Sequence, residues 1–527
     1  MTRDFQLSRR PPVIAGDAMA ATSHPLATLA AIETLKGGGS AADAAVSAVA
    51  TLCVVEPAMT GIGGDCFCLV KRPGLPAWGY NGSGRSAAGA SLDDLLAQGL
   101  NAIGPDSVHS VTVPGAVDAW AAILKAHGRF GLDRALKPAI HYAEHGFPIA
   151  PRVACDWAMY GDRLKADAGA SRHFLVDGHP PREGDMRRAP ALAIALKAIA
   201  AGGPRVFYEG PIADDIVTTL AARGSFLTLS DFAAHYGEVA TPISTSYRGL
   251  DVVQMPPNGQ GLAALVLLNI LEQFDHSVFE PLSAARAHLC VEAARLAYAV
   301  RDTHVADPAA MRTTVAALID KTFAAALSQK LDPAKRVPLP AAPVPGTDTV
   351  YVSVVDRDGM AVSMINSLFH AFGAAIATEK TGILLQNRGA GFVLDPDHPN
   401  AFAPAKRPMH TIIPALGLTD GECDLCYGVM GGAFQAMGHA WFTSNVVDFG
   451  MDVQAAIDLP RLFYEGETTV AESGLPAQTI ADLRGLGHDI AVRQQPLGGS
   501  QAIAIDRARG VLIGGSDSRK DGCALGY

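Results

Sequence analysis

The segment PGTDTVYVSVVDRDG, residues 345–359, sets a threonine at the junction between a Pro-rich run and an alternating β pattern. Two roles fit Thr349. It is an ordinary β-former after a linker, which the pattern alone favours, or a nucleophile released by cleavage of the Asp348–Thr349 bond. In the second case Thr349 gains a free α-amine beside its own hydroxyl, and an amine with a reference pKa of about 7.7–8.0 is a general base at neutral pH. One residue then supplies both nucleophile and base.

A second stretch could stabilise the charge that such a reaction develops. CDLCYGVMGGAFQAMGHAWFTSNVVDFG reads as strand, Gly-Gly turn and helix. Helix N-termini carry free N–H groups and positive potential, so Gly431 and Gly432 either present donors to an oxyanion or simply make a tight turn. Metal chemistry has less support. The only close pairs among eight cysteines, Cys66/Cys68 and Cys423/Cys426, have no matching second half nearby, and His370 and His410 share no close ligand spacing. No metal and no cofactor are expected. The DFG at residues 448–450 lacks the other kinase motifs, and GIGGD at residues 61–65 stands between helix and strand, the reverse of a dinucleotide fingerprint.

Elements must position these residues. Residues 25–36 and 41–53 read as helices broken by Gly37–Gly39, with Ser40 as N-cap, and MTGIGGDCFCLVK as a glycine turn feeding a strand. From there to about residue 327 the chain reads as mostly helical, with Ala-rich stretches at 117–126, 191–201 and 283–298. LAALVLLNILEQF, residues 262–274, reads as a buried helix, too short to span a bilayer. Residues 331–348 hold five prolines and no apolar periodicity, so an exposed, extended segment is expected there. Beyond it Val350, Val352 and Val354 alternate before DRDG, and residues 361–365 return as the second arm of a hairpin.

Composition narrows the class. With 527 residues, 49% of them hydrophobic, the chain can bury a large core. The balance of 42 Lys+Arg against 52 Asp+Glu, a net charge of −10, points away from nucleic acid and from a polybasic membrane surface. The N-terminus has no apolar run of signal type, so cytoplasmic placement is the expectation. A small-molecule enzyme is the natural class.

The chain resembles the gamma-glutamyltranspeptidase family of N-terminal-nucleophile hydrolases over nearly its whole length. The resemblance is carried by LKGGGSAADAAVSAVATLCVVEPAMTGIGGDCF, VPGAVDAW, MPPNGQGLAAL, DTVYVSVVDRDGMAVSM, TGILLQNRGAGF, KRPMHTIIP, GVMGGAF, GMDVQAAIDLPRLF and GGSDSRKDGCALGY, in that order. It implies an α/β (α+β) four-layer αββα sandwich built jointly by a large subunit, residues 1–348, and a small one, residues 349–527, cut from one precursor. It also implies that Thr349 attacks an amide carbonyl to form an acyl-enzyme. Gly431 and Gly432 match the family's oxyanion pair, and Ser367 the hydroxyl that supports the nucleophile.

The two ends of the family's substrate site carry over differently. Arg85, His410 and Thr411 fall where the family holds a carboxylate, and an arginine fork with nearby donors suits that group. At the ammonium site the family uses Asn, Gln or Glu, and Asp, whereas Phe369, Arg388 and Gly391 stand at the matching positions here. A cation there disfavours an α-amine and suits a substrate with a carboxylate but no amine; Arg388 is either a ligand for it or an exposed arginine outside the pocket. This pattern is similar to the oxamate amidohydrolase and glutathione-hydrolase-like branches. The expected activity is therefore hydrolysis of a small carboxylate-bearing amide, with γ-glutamyl transfer or hydrolysis as the second reading. An unprocessed scaffold or ligand-binding relative is the third. The expected partners are that small molecule and the two subunits themselves, with room for a homo-oligomer of processed heterodimers.

Overall fold

The hairpin that begins at Thr349 organises the molecule. The computed structural model describes residues 10–338 and 349–527, so Asp348 lies outside the described residues. Strands Val350–Val355 and Ala361–Ser367 pair antiparallel, with Val350 opposite Asn366 and Val355 opposite Ala361. Asp356 closes the turn by accepting from the N–H groups of Asp358 and Met360, and Gly359 supplies a left-handed φ of 77°. Side chains alternate along a strand. Val350, Val352 and Val354 therefore share one buried face, while Tyr351 and Val355 share the other.

Two seven-stranded antiparallel sheets stack face to face. In the first, the hairpin is flanked by Met19–Thr22 and Cys523–Gly526 on one side, and by Asp65–Lys71, Trp78–Gly82 and Glu238–Ala240 on the other. The second runs Val13–Ala15, Val511–Ser516, Gly499–Asp506, Glu422–Met430, Ala415–Thr419, Leu250–Gln254 and Ile243–Tyr247. Between them lies an apolar layer that includes Phe67, Tyr351, Ile365, Ile412, Leu416, Met430 and Ile503. Helices cover both outer faces, so the layer order is αββα.

The first helical layer is held close by small residues. Helix Ala41–Val55 is buried along its whole length, and its Ala and Val side chains pack with Val350, Val352, Val354, Val362 and Met364. Each fully buried Val contributes roughly 1.5–3 kcal/mol, and a one-residue slip would turn all three hairpin valines to the wrong face. The helix starts at Ser40 with a reciprocal capping box to Asp43. Asp43 also accepts from the N–H groups of Arg129 and Phe130. On the other side, Gly261–Leu271, Ala284–His304 and Gln435–Val447 cover the second sheet.

The expected helices at 25–36, 117–126, 191–201 and 262–274 are present as Pro25–Lys36, Ala116–His127, Pro190–Gly202 and Gly261–Leu271. The helical reading of residues 72–327 was incomplete, because strands Trp78–Gly82, Glu238–Ala240, Ile243–Tyr247 and Leu250–Gln254 lie in it. The last two form a tight hairpin in which Arg248 and Gly249 both take positive φ. Among the described residues, no helix is long and apolar enough to cross a membrane.

Removing the Ser40 hydroxyl deletes one half of the capping box and a bond to the His127 carbonyl. Ser40→Ala should cost about 1–2 kcal/mol, read as a lower urea midpoint at unchanged slope. An unchanged midpoint would contradict this account of how the helix starts.

Candidate active site

Thr349 and Ser367 face each other because the hairpin register leaves them no alternative. Thr349 immediately precedes one strand and Ser367 ends the other, both with the parity that points between the sheets. Their hydroxyl oxygens are 3.1 Å apart. From the second sheet, Gln435 at the start of helix Gln435–Val447 donates to Thr349 Oγ1 at 3.5 Å, a long contact, and its own Oε1 accepts from the Ile413 N–H at 3.1 Å. Thr349 is buried. Its hydroxyl thus sits in a fixed polar setting between the layers.

The Gly-Gly turn lies three residues before Gln435. Gly431 and Gly432 have φ values of 125° and 56°, a conformation that a side chain would strain. A Cβ on Gly431 would also lie 3.0 Å from Gly498 Cα. A short 3-10 turn, Gly432–Phe434, then leads into the helix; its first bond runs from Phe434 N–H to the Gly431 carbonyl at 3.1 Å, so the Gly431 and Gly432 N–H groups stand before the start of the helical ladder. The turn is braced from helix Ala284–His304. Arg301 Nη1 donates to Gln260 Oε1 at 2.7 Å, Gln260 Nε2 donates to the Gly432 and Thr411 carbonyls at 2.9 and 2.7 Å, and Tyr298 OH donates to the Ala433 carbonyl.

A buried cation completes the constellation. Arg388 has no exposed surface; it donates to Thr411 Oγ1 at 2.7 Å and to Ser367 Oγ at 3.3 Å, with its guanidinium 4.1 Å from the Phe369 ring centre. Burial pushes its pKa down to about 9, which leaves it charged at neutral pH. Its counter-charge is Asp65, also fully buried. Oδ1 of Asp65 accepts from Gly84 N, Gly115 N and Gln386 Nε2 at 3.0–3.1 Å, and Oδ2 lies 3.0 Å from His410 Nε2. His410 Nδ1 accepts from the Ile412 N–H, so the proton of the neutral ring sits on Nε2 and points at Asp65. Burial, with Arg388 and Arg407 nearby, holds His410 well below the usual histidine range.

The GIGGD turn makes this possible by close backbone approach. A Cβ on Gly63 would lie 2.1 Å from the Leu384 carbonyl oxygen, and one on Gly64 would lie 2.4 Å from that of Ser367. Two glycines therefore bring Asp65 against both the Ser367 strand and the segment that leads to Arg388.

The residues singled out in the sequence thus fall into separate groups. Thr349, Ser367, Arg388 and Thr411 are linked by hydrogen bonds, and Gly432 joins them through Gln260 and the Thr411 carbonyl. His410 is wholly buried against Asp65 and Phe67. Arg85 is part-exposed and pairs with Asp307 at 3.2 Å, beside Arg407, whose N–H also donates to Asp307. His370 meets Asn387, and burial lowers it to about 4. Gly391 closes the 3-10 turn Arg388–Gly391. Asp65, Gln260, Gln435 and Arg301 were not singled out as site residues, although Asp65 ends the GIGGD motif. Among the described residues, no cluster of three or more His, Cys, Asp or Glu could hold a metal.

Burial pushes the Asp65 carboxyl up to about 7, while Arg388 and the donors on Oδ1 pull it down. At pH 8 it is ionised, and Asp65→Asn should then cost about 3 kcal/mol by leaving Arg388 without its counter-charge. Equal stability of the two proteins in urea at pH 8 would show that this carboxylate does not balance the arginine.

Residues 27–527 match the model of the gamma-glutamyltranspeptidase family. The chain is 39% identical to the glutathione hydrolase-like YwrD proenzyme of Bacillus subtilis, covering 98% of this chain and 99% of that one. It is 35% identical to the oxamate amidohydrolase proenzyme of Klebsiella pneumoniae, covering 97% and 98%. Among solved structures, the cephalosporin acylase of Bacillus halodurans superposes with a TM-score of 0.94 at 37% identity, covering 100% of this chain and 99% of that one. A match across this length, on the fold and register described above, establishes that the chain belongs to the gamma-glutamyltranspeptidase family.

Proposed function

We propose that the protein is a self-processing N-terminal-threonine amidohydrolase that hydrolyses the amide of a small carboxylate-bearing substrate, of the oxamate kind. The observation that carries this reading is Arg388. It places a buried cation, stacked on Phe369, one hydrogen bond from Ser367 and so beside Thr349. A substrate ammonium at that place would meet like charge, whereas a carboxylate would gain a charge-assisted fork.

Maturation and turnover use the same hydroxyl. In maturation, Thr349 Oγ1 attacks the Asp348 carbonyl and the C–N bond breaks with the hydroxyl proton passing to the nitrogen, which frees the Thr349 α-amine and leaves an Asp348 ester on Oγ1; water then hydrolyses that ester to free Oγ1 and the Asp348 carboxylate. That cut would divide the chain into subunits of residues 1–348 and 349–527, in keeping with the proenzyme names of the relatives. In turnover, the α-amine takes the Oγ1 proton as the oxygen attacks the substrate carbonyl. The oxyanion develops against the Gly431 and Gly432 N–H groups. Collapse breaks the C–N bond, the ammonium proton passes to the departing nitrogen, and ammonia leaves. Water then attacks the acyl-threonine ester and releases the acid. Ser367 and Gln435 orient Oγ1; Arg388 and Thr411 hold the substrate carboxylate. Arg85, at the approach beside Asp307, draws the substrate carboxylate in by its charge, and His410 supports Asp65.

The second reading, hydrolysis of γ-glutamyl amides, draws on the name of the glutathione hydrolase-like relative. The two separate in one comparison. Ammonia release from oxamate should exceed chromophore release from a γ-glutamyl anilide, and Arg388→Lys, which keeps the charge but loses the fork, should lower kcat/KM on oxamate by about tenfold or more. Predominant activity on the anilide, or an Arg388→Lys protein that keeps full oxamate activity, would overturn the substrate assignment. Thr349→Ala should leave a single chain with no activity on either substrate; a cut or active variant would remove Thr349 from its role. Arg85→Ala should still be processed and should bind the carboxylate more weakly; an uncut Arg85→Ala chain would make that arginine structural.

A further inference from the structure

The chain just upstream of the processing region is held by a device that turnover at Thr349 does not use. Three residues on one face of helix Ala284–His304, His288, Glu292 and Arg295, are spaced four and three apart and are all buried. Glu292 and Arg295 form an ion pair at 2.8 Å. Each partner then takes one side of a single peptide residue: Val337 N–H donates to Glu292 Oε2 at 3.1 Å, and the Val337 carbonyl accepts from Arg295 Nη1 at 2.9 Å. Five residues earlier, the Asp332 carbonyl accepts from His288 Nε2 at 2.8 Å. That bond fixes the proton of His288 on Nε2, so its Nδ1 accepts from His488 Nε2 at 2.7 Å. Between the two anchors, Arg336 N donates to the Leu486 carbonyl at 2.7 Å and Arg336 pairs with Glu467. Residues 332–337 are thus tied at three points although they carry no regular secondary structure.

The direction of this segment matters. As it runs from Asp332 to Val337, its partners advance along the helix from His288 to Arg295, toward Tyr298 and Arg301, which brace the Gly431–Phe434 turn. The anchored chain is therefore aimed at the site, and Val337 stands twelve residues before Thr349, a reach of at most ~40 Å. Burying an ion pair to hold one residue of an irregular segment is costly unless the segment must be placed.

We propose that Glu292, Arg295 and His288 are positioning residues for self-processing: they dock residues 332–337 so that the bond before Thr349 is presented to its own hydroxyl, and they take no part in turnover afterwards. This rests on the reading that the Asp348–Thr349 bond is cut. The discriminating pair is Val337→Pro, which removes the N–H that Glu292 accepts from and fixes φ at that residue, and Val337→Ala, which keeps both backbone bonds.

Cutting would be followed by intact mass in freshly made precursor, with kcat and KM measured on the cut fraction and amide exchange measured over residues 332–338. Val337→Pro should slow cutting by about tenfold, while Val337→Ala cuts at the wild-type rate and the cut fractions of both keep wild-type kcat and KM. Cutting of Val337→Pro at the wild-type rate would overturn the proposal, as would a loss of kcat in its cut fraction. If the wild-type chain is never cut, the reading of Thr349 fails by itself. The anchor is then judged by exchange in Glu292→Gln: unprotected Val337 amide in the wild type, or unchanged protection in the variant, would remove it.

Discussion

The antiparallel register between Val350–Val355 and Ala361–Ser367 is the constraint on which the rest depends. Three valines commit one face of the first strand to the Ala-rich helix layer, and that commitment turns Thr349 and Ser367 into the space between the sheets. The second sheet supplies what meets them there. Glu422–Met430 ends at the Gly-Gly turn, and the helix that follows carries Gln435 to the Thr349 hydroxyl. A hydroxyl pair, a turn rich in N–H donors and a buried arginine come together because two sheets with fixed side-chain parity are stacked, not because any one loop folds around them.

Charge inside this space is balanced at a distance from the reacting hydroxyl. Arg388 has Thr411, Ser367 and the Phe369 face as direct neighbours, and its counter-charge Asp65 is occupied by three N–H donors on one oxygen and by the His410 ring on the other. The arginine therefore keeps its charge without a carboxylate lying across its fork. In the proposed function that is the property which lets a substrate carboxylate approach. The same network ties the GIGGD turn, the Ser367 strand and the 3-10 turn at Arg388 into one unit, so specificity and fold are not separable by single substitutions at Asp65.

Much of this was legible in the sequence, for identifiable reasons. The N-cap at Ser40, the hairpin around DRDG and the strand–Gly-Gly–helix unit are local signals, and local chemistry sets them. The strands at residues 78–82 and 243–254 were not read, because Ala-rich helices on both sides dominate the pattern, although the Arg248-Gly249 turn was a usable mark. Arg388 was found only as the residue standing where an acceptor was expected. Its burial and its charge balance with Asp65 follow from segments more than 300 residues apart, which no period or spacing reports. Gln435 and Gln260 escaped for the same reason, since a neutral amide becomes informative only when its partners are known.

The central claim is that Thr349 becomes the N-terminus of a second chain. Denaturing intact-mass measurement of freshly purified protein, with N-terminal sequencing of the smaller piece, tests it most directly. The account predicts a fragment that begins Thr-Val-Tyr-Val. A single uncut chain from protein that is folded and has had time to mature would contradict it.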